Sequence, residues 1–248
     1  MGFANKQPFD LNSGVAFLWN GSAASAVDLN PNTVTNASEA LATDGANQVG
    51  YAVPGSYANA FLWSGTAASY VNLQPNGFVA SMADDVNGGE QVGYGSPSGT
   101  DPDLSLDASN VHALLWNGTA ASFVDLNPDG WVLSKALGTN GTQQVGAGLI
   151  TEEAGQLFPT GNYQALLWSG TAASYVNLQT LLPVTDTWVS SEAHSIDPSG
   201  DAFGYAVDSS GNYFAVEWSP VPEPVSGALV SVLGACALMR RRRGENPC

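Results

Sequence analysis

Positive charge is what this sequence has least of. Among 248 residues there are six Lys and Arg against 22 Asp and Glu, for a net charge of −16. Four of the six bases are Arg240, Arg241, Arg242 and Arg243, close to the C-terminal end. Residues 1–219 keep only Lys6 and Lys135 against 20 acids, a net charge of −18. Such a surface repels phosphate backbones, which argues against nucleic acid as a partner. Cysteine is missing from the same stretch, since Cys236 and Cys248 both follow it. No disulfide can therefore staple the body. The chain has two histidines, and it lacks an HExxH pair, a phosphate-binding loop, a dinucleotide fingerprint and a Gly-x-Ser-x-Gly elbow. No charged and then apolar leader opens it.

What is abundant is Ala, Gly, Ser, Asn and Thr, a mixture that suits a turn-rich β protein. The text also repeats. Trp19, Trp63, Trp116, Trp168 and Trp218 are separated by 44, 53, 52 and 50 residues. Residues 62–74 and 167–179 both read LWSGTAASYVNLQ, and residues 115–128 and 18–31 read LWNGTAASFVDLNP and LWNGSAASAVDLNP. Ahead of three of the tryptophans stands a second block, seen at Gln48–Tyr51, Gln91–Tyr94 and Gln143–Gly146. Each unit reads as four short strands. In the third unit, strand a ends near Ala83–Val86, strand b is Gln91–Gly95, strand c is Ala113–Trp116 and strand d is Ser122–Leu126. The Asn-Gly or Ser-Gly after each tryptophan supplies positive φ for the c–d turn. Val71 and Leu73 alternate with Tyr70 and Asn72, which predicts one apolar face for strand d.

Four strands per ~50 residues, repeated, predict an all-β, propeller-like array of about five units over residues 1–219. One such sheet cannot bury both faces alone, so neighbouring sheets must stack with tryptophan and leucine between them. The alternatives are a β-solenoid or an open row of hairpins. The first and last units are incomplete. Met1-Gly2-Phe3-Ala4 aligns with Val49-Gly50-Tyr51-Ala52, so the chain reads as beginning in mid-repeat, and the last unit has no strand d. The units resemble the extracellular HAF repeats, named for His-Ala-Phe before Leu-Trp. Here His112-Ala113-Leu114-Leu115-Trp116 keeps the histidine, while the others begin Val15, Asn59 and Gln164. The resemblance implies an extracellular setting and no defined activity.

Residues 220–248 form a separate tail. Pro222-Glu223-Pro224 precedes the uncharged apolar run Val225–Met239, and Arg240–Arg243 follow. As a helix the 15-residue run is about 22 Å long, short of a ~30 Å hydrocarbon core. Arginines stay on the cytoplasmic side and their long stems snorkel, so the tail predicts a short transmembrane helix with the body outside. Triplet, apolar run and Arg cluster resemble the PEP-CTERM sorting signal of Gram-negative, matrix-producing bacteria. That resemblance implies export, processing by an exosortase-type membrane protease, and delivery to the cell surface or extracellular matrix. A plain C-terminal membrane anchor is the simpler alternative.

Candidate chemistry is sparse. His112 occupies a repeat position in strand c and reads as structural; His194 has no legible partner. Asp101, Asp103 and Asp107 form the densest acidic patch and are the candidate calcium ligands, although the patch lacks the glycine and final glutamate of an EF-hand and reads equally as a solvated loop. Asn20, Asn36, Asn117 and Asn140 head Asn-x-Ser/Thr triplets, two of which are the c–d turn itself. No catalytic residue and no cofactor is assigned. Two functions follow: a non-enzymatic surface or matrix module that binds polysaccharide or other surface proteins by multivalent weak contacts, or an extracellular polysaccharide hydrolase or lyase on a propeller scaffold.

Overall fold

The repeating text becomes repeating antiparallel sheets. The computed structural model describes residues 2–5, 14–32, 37–98, 110–150, 162–184 and 186–220, and the backbone alone for residues 2–5. It is all-β, with five small sheets in chain order. The first sheet holds β1 (Gly2–Asn5), β2 (Gly14–Leu18) and β3 (Val27–Asp28). The second holds β4 (Ser38–Thr43), β5 (Gln48–Ala52), β6 (Asn59–Trp63) and β7 (Val71–Asn72). The third holds β8 (Phe78–Asn87), β9 (Glu90–Pro97), β10 (His112–Trp116) and β11 (Val124–Asp125). The fourth holds β12 (Leu133–Thr139), β13 (Gln144–Leu149), β14 (Gln164–Trp168) and β15 (Val176–Asn177). The fifth holds β16 (Trp188–Ile196), β17 (Ala202–Asp208) and β18 (Tyr213–Trp218). Every sheet is a meander of neighbouring strands, and among the described residues the first and fifth sheets have three strands each where the others have four. The chain divides into a unit Met1–Trp218 and a unit Ser219–Cys248. The short apolar helix expected in the tail lies outside the described residues. Among the described residues, no helix is long and apolar enough to cross a membrane.

Strand d is shorter than the sequence predicts. Ser122 belongs to a 3-10 turn, Ala120–Ser122, and only Val124–Asp125 pair with β10. The reason is the serine itself. Its hydroxyl accepts the N–H of Asn117 at 2.9 Å and donates to the Thr119 carbonyl at 2.7 Å, closing a local loop before the strand begins. Ser25, Ser69 and Ser174 do the same in their units. The glycine that follows the first four of the five repeat tryptophans takes the left-handed conformation expected of it, at φ 73, 81, 77 and 82 for Gly21, Gly65, Gly118 and Gly170. The alternation expected of strand d holds over its short length, with Asn72 exposed opposite Val71 and Leu73. Leu73 and Val71 pack toward the third sheet, while Tyr70 stacks on Phe61 at 5.4 Å toward the first.

Between sheets the packing follows one rule. In each interface the leucine before one sheet's tryptophan lies in the same apolar cluster as the next sheet's tryptophan: Leu18 with Trp63, Leu62 with Trp116, Leu115 with Trp168, Leu167 with Trp218. Consecutive residues of a strand point to opposite faces, so Leu-Trp serves two interfaces at once. Trp63, Trp116 and Trp168 are fully buried.

A hydrogen-bond clasp accompanies each cluster. A buried serine on strand a accepts the N–H of an alanine in strand c of the preceding sheet and donates to the Asn or Gln that follows its strand d. Ser38 bridges Ala16 and Asn30 at 3.1 and 2.7 Å, and Ser81 bridges Ala60 and Gln74 at 2.9 and 2.5 Å. Ser134 bridges Ala113 and Asn127 at 3.0 and 2.7 Å, and Ser191 bridges Ala165 and Gln179 at 3.0 and 2.9 Å. Within a sheet, the buried Gln48, Gln91 and Gln144 accept from the turn glycines Gly65, Gly118 and Gly170 at 2.8, 2.7 and 2.9 Å. Each donor satisfied this way would otherwise be buried at a cost of about 1–3 kcal/mol.

The recurring Val-Gly has a steric cause. Strand a carries a bulge, with Leu41, Asp84, Leu137 and His194 as the extra residues. The bulge brings a strand a carbonyl over strand b. A Cβ on Gly50, Gly93, Gly146 or Gly204 would sit 1.9, 2.0, 1.8 or 1.8 Å from the carbonyl oxygen of Glu39, Met82, Lys135 or Glu192. Only glycine fits there.

Candidate functional site

The bulged strands also carry a seam where ionisable side chains gather. The residue opposite the one after the crowded glycine is Glu39, Met82, Lys135 or Glu192, and its cross-strand partner is Tyr51, Tyr94, Ala147 or Tyr205. These positions repeat while their chemistry does not, which is what a site grafted on a repeat scaffold requires.

In the second sheet the Tyr51 hydroxyl donates to Glu39 Oε2 at 3.1 Å. Burial and that carboxylate push the phenol up to about 12. In the third sheet Tyr94 is buried, and burial together with Asp84 raises its hydroxyl far above the ordinary value. Lys135 of the fourth sheet is 3 % exposed and sits with Nζ 4.5 Å from the centre of the Tyr94 ring. Asp84, the extra residue of its bulge, has Oδ2 shielded and without a hydrogen-bond partner. Desolvation raises its carboxyl to about 7; the Lys135 charge opposes that rise and the neighbouring Asp85 adds to it. In the fifth sheet Glu192 Oε2 lies 3.4 Å from His194 Nε2, and the His194 ring stacks on Tyr205 at 5.6 Å. Burial works to raise the Glu192 carboxyl, but hydrogen bonds from His194 and Tyr205 outweigh it and hold the carboxyl low. The bond to Glu192 holds His194 up. Lys135 lies within electrostatic reach of both Asp84 and Glu192, so one cation serves carboxylates of two different sheets.

Chemically, the seam offers a carboxyl that titrates near neutrality, a shielded ammonium, phenols held protonated and a half-exposed histidine. Hydroxyl-rich neutral molecules suit such a set. Anions do not, because carboxylates outnumber the single ammonium. Below this layer the third and fourth sheets are tied again. Asp85 Oδ2 accepts the Thr139 N–H at 2.9 Å, the Thr139 hydroxyl donates to Glu90, and Gln144 Nε2 donates to Glu90 at 2.9 Å.

The sequence-predicted residues fare differently. His112 Nδ1 lies 2.7 Å from Asp125 Oδ2 on the adjacent strand, and Phe78 meets its ring edge-on. Gln164 and Asn177 occupy the same two positions one unit later and are likewise hydrogen-bonded. His194, without a legible partner in the sequence, pairs with Glu192. Asn140 is engaged, accepting from Thr142 and Gln143 and donating to the Asp197 carbonyl. Asn20 and Asn117 sit in exposed turns, and Asn36 lies outside the described residues. The calcium candidates Asp101, Asp103 and Asp107 also lie outside them, as do Pro222, Glu223, Pro224 and Arg240–Arg243. Among the described residues, no group of three or more His, Cys, Asp or Glu is placed to hold a metal.

Sequence reasoning missed Asp84, Lys135, Tyr94 and Glu192. The available signal was departure from the repeat: Glu, Met, Lys and Glu at one aligned position, and Leu, Asp, Leu and His at the next but one. Comparison with family models, curated proteins and solved structures yields no match.

Proposed function

We propose that this chain is an exported surface or extracellular-matrix protein, a non-enzymatic binding and structural module on a propeller-like stack of sheets. The observation that carries this reading is the order Pro222-Glu223-Pro224, Val225–Met239, Arg240–Arg243. It fits a sorting tail cut by an exosortase-type membrane protease, with brief membrane attachment through the tail. Acidic, cysteine-free sheets joined by repeated clasps, with ionisable side chains gathered along a seam, support a scaffold that binds matrix polysaccharide or neighbouring surface proteins. The test is expression of the chain behind a standard export leader in a matrix-producing Gram-negative host, with an epitope in the body. The expected product is shortened by the tail and leaves the inner membrane. Glu223→Ala, or loss of the host protease, leaves it full-length and membrane-bound. Processing indifferent to both would overturn the reading.

A polysaccharide hydrolase or lyase is the second reading, favoured by the carboxyl of Asp84 titrating at about 7 beside Lys135. Glycan turnover that disappears in Asp84→Asn and is retained in His112→Gln would select it over the first.

A further inference from the structure

Asparagine followed by glycine is the pair at which a chain most readily modifies itself, because glycine has no Cβ to keep its main-chain nitrogen away from the asparagine side chain. Four such pairs stand within residues 37–98 and 110–150: Asn76-Gly77, Asn87-Gly88, Asn117-Gly118 and Asn140-Gly141. Three of them are held. The Gly118 N–H donates to Oε1 of the buried Gln91 at 2.7 Å. The Gly141 N–H donates to Thr139 Oγ1 at 2.9 Å, and the Asn140 side chain is itself fixed by Thr142, Gln143 and Asp197. Asn87 is half-buried and ends β8 on the ladder opposite Glu90.

Asn76-Gly77 is the exception. Both residues are exposed, in the turn Pro75-Asn76-Gly77-Phe78 that leads into β8. The Phe78 N–H closes the turn on the Pro75 carbonyl at 3.3 Å, and the Gly77 carbonyl accepts from Ser98 at 2.7 Å. Between those bonds the peptide joining Asn76 to Gly77 is left over. Among the described residues, nothing accepts the Gly77 N–H and nothing holds the Asn76 side chain. The next unit builds the same turn from Pro128-Asp129-Gly130-Trp131, closed at 3.1 Å, with its glycine at φ 82 against 88 for Gly77. An acid in place of Asn76 is therefore a residue this turn already accommodates.

We propose that Asn76 is a site of spontaneous deamidation, and that Gln91 protects the likewise exposed Asn117 from the same reaction. The Gly77 nitrogen gives its proton to water and bonds to Asn76 Cγ. The Cγ–Nδ2 bond breaks, and Nδ2 leaves as ammonia with a proton from water. A second water opens the resulting ring at either carbonyl, giving aspartate or isoaspartate and one added negative charge. Isoaspartate also lengthens the main chain by one carbon ahead of β8. At Gly118 the hydrogen bond to Gln91 Oε1 fixes the nitrogen and opposes loss of its proton. The reaction is independent of the sorting tail.

The test is peptide mapping by mass spectrometry of the full chain, held in warm, mildly alkaline buffer with mild detergent. Isoaspartate is counted by enzymatic methylation, and circular dichroism confirms that the chain stays folded. Asn76 should convert at least ~10-fold faster than Asn117, the factor that one hydrogen bond opposing ring closure supplies. In denaturing urea the two rates should come together, since neither glycine is then held. Gln91→Ala should speed Asn117 toward the Asn76 rate and leave Asn76 unchanged. If Gln91→Ala does not fold, the rate ratio in the folded wild type and its loss in urea decide the matter. Equal rates in the folded chain, an Asn76 that stays an amide there while converting in urea, or an Asn117 rate that a folded Gln91→Ala leaves unchanged would each overturn the proposal.

Discussion

The third and fifth sheets are written in the same text and end in different circumstances. Both have the bulged first strand, the crowded glycine and a buried tryptophan. The third has a strand d, a glutamine holding its turn, and a serine arriving from the next sheet to clasp Ala113. Among the described residues, the fifth has Ala202 in place of the glutamine and three strands, with Ala215 on the last of them. Its outward face carries Phe203, Tyr213 and Glu217 where the second sheet buries Val49 and Leu62. A repeat in a stack is therefore completed by its neighbours.

Predictions can break that comparison where it is strongest. Gly146→Ala places a methyl 1.8 Å from the Lys135 carbonyl in an interface closed on both sides. It should cost more than about 3 kcal/mol or prevent folding, as judged by urea unfolding of the full chain. The rule separating interior from end is tested next. Trp116→Ala should cost about 3–5 kcal/mol by removing a buried ring, and Trp19→Ala, half-buried at the first sheet, markedly less in dilute protein; equal costs would remove the distinction. Ser134→Ala leaves the Ala113 N–H and the Asn127 carbonyl oxygen without their partner, and should cost about 2–3 kcal/mol.

The smallest effect is a slope. Asp84 holds its proton in the folded state up to about pH 7, whereas its unfolded value is 3.8. Between those values the native state binds more protons, so this group's contribution is full below the unfolded value and is lost as pH rises through about 7. Urea midpoints should fall between pH 5 and 8, and Asp84→Asn should flatten that fall. His194, raised by Glu192, adds a smaller loss of the same sign above its unfolded value of 6.5. An unchanged slope in Asp84→Asn would remove the seam's carboxyl from the account.

The all-β class and the number of sheets were legible because Trp-Ser/Asn-Gly and Gln-Val-Gly recur in the text. The glycine after tryptophan was legible because positive φ is a local demand. Strand d was overestimated because Ser122 bonds to its own turn, a choice that alternation of apolar residues does not reveal. The serine clasps were invisible for a different reason. Ser134 matters only when the fourth sheet lies on the third, and serine is too common in this chain to stand out. Lys135 and Asp84 were passed over because each is a lone departure in an aligned column, and their proximity exists only across an interface.

Hydrogen exchange tests the central claim most directly, that stacking of neighbouring sheets protects each repeat. In dilute, monomeric protein, the amides of Ala60, Ala113 and Ala165, each clasped by a serine of the following sheet, should exchange only on global unfolding. Ala215, at the same position of the last strand, should exchange at least ~100-fold faster. Protection of Ala215 equal to that of the clasped alanines in the monomer would contradict the account.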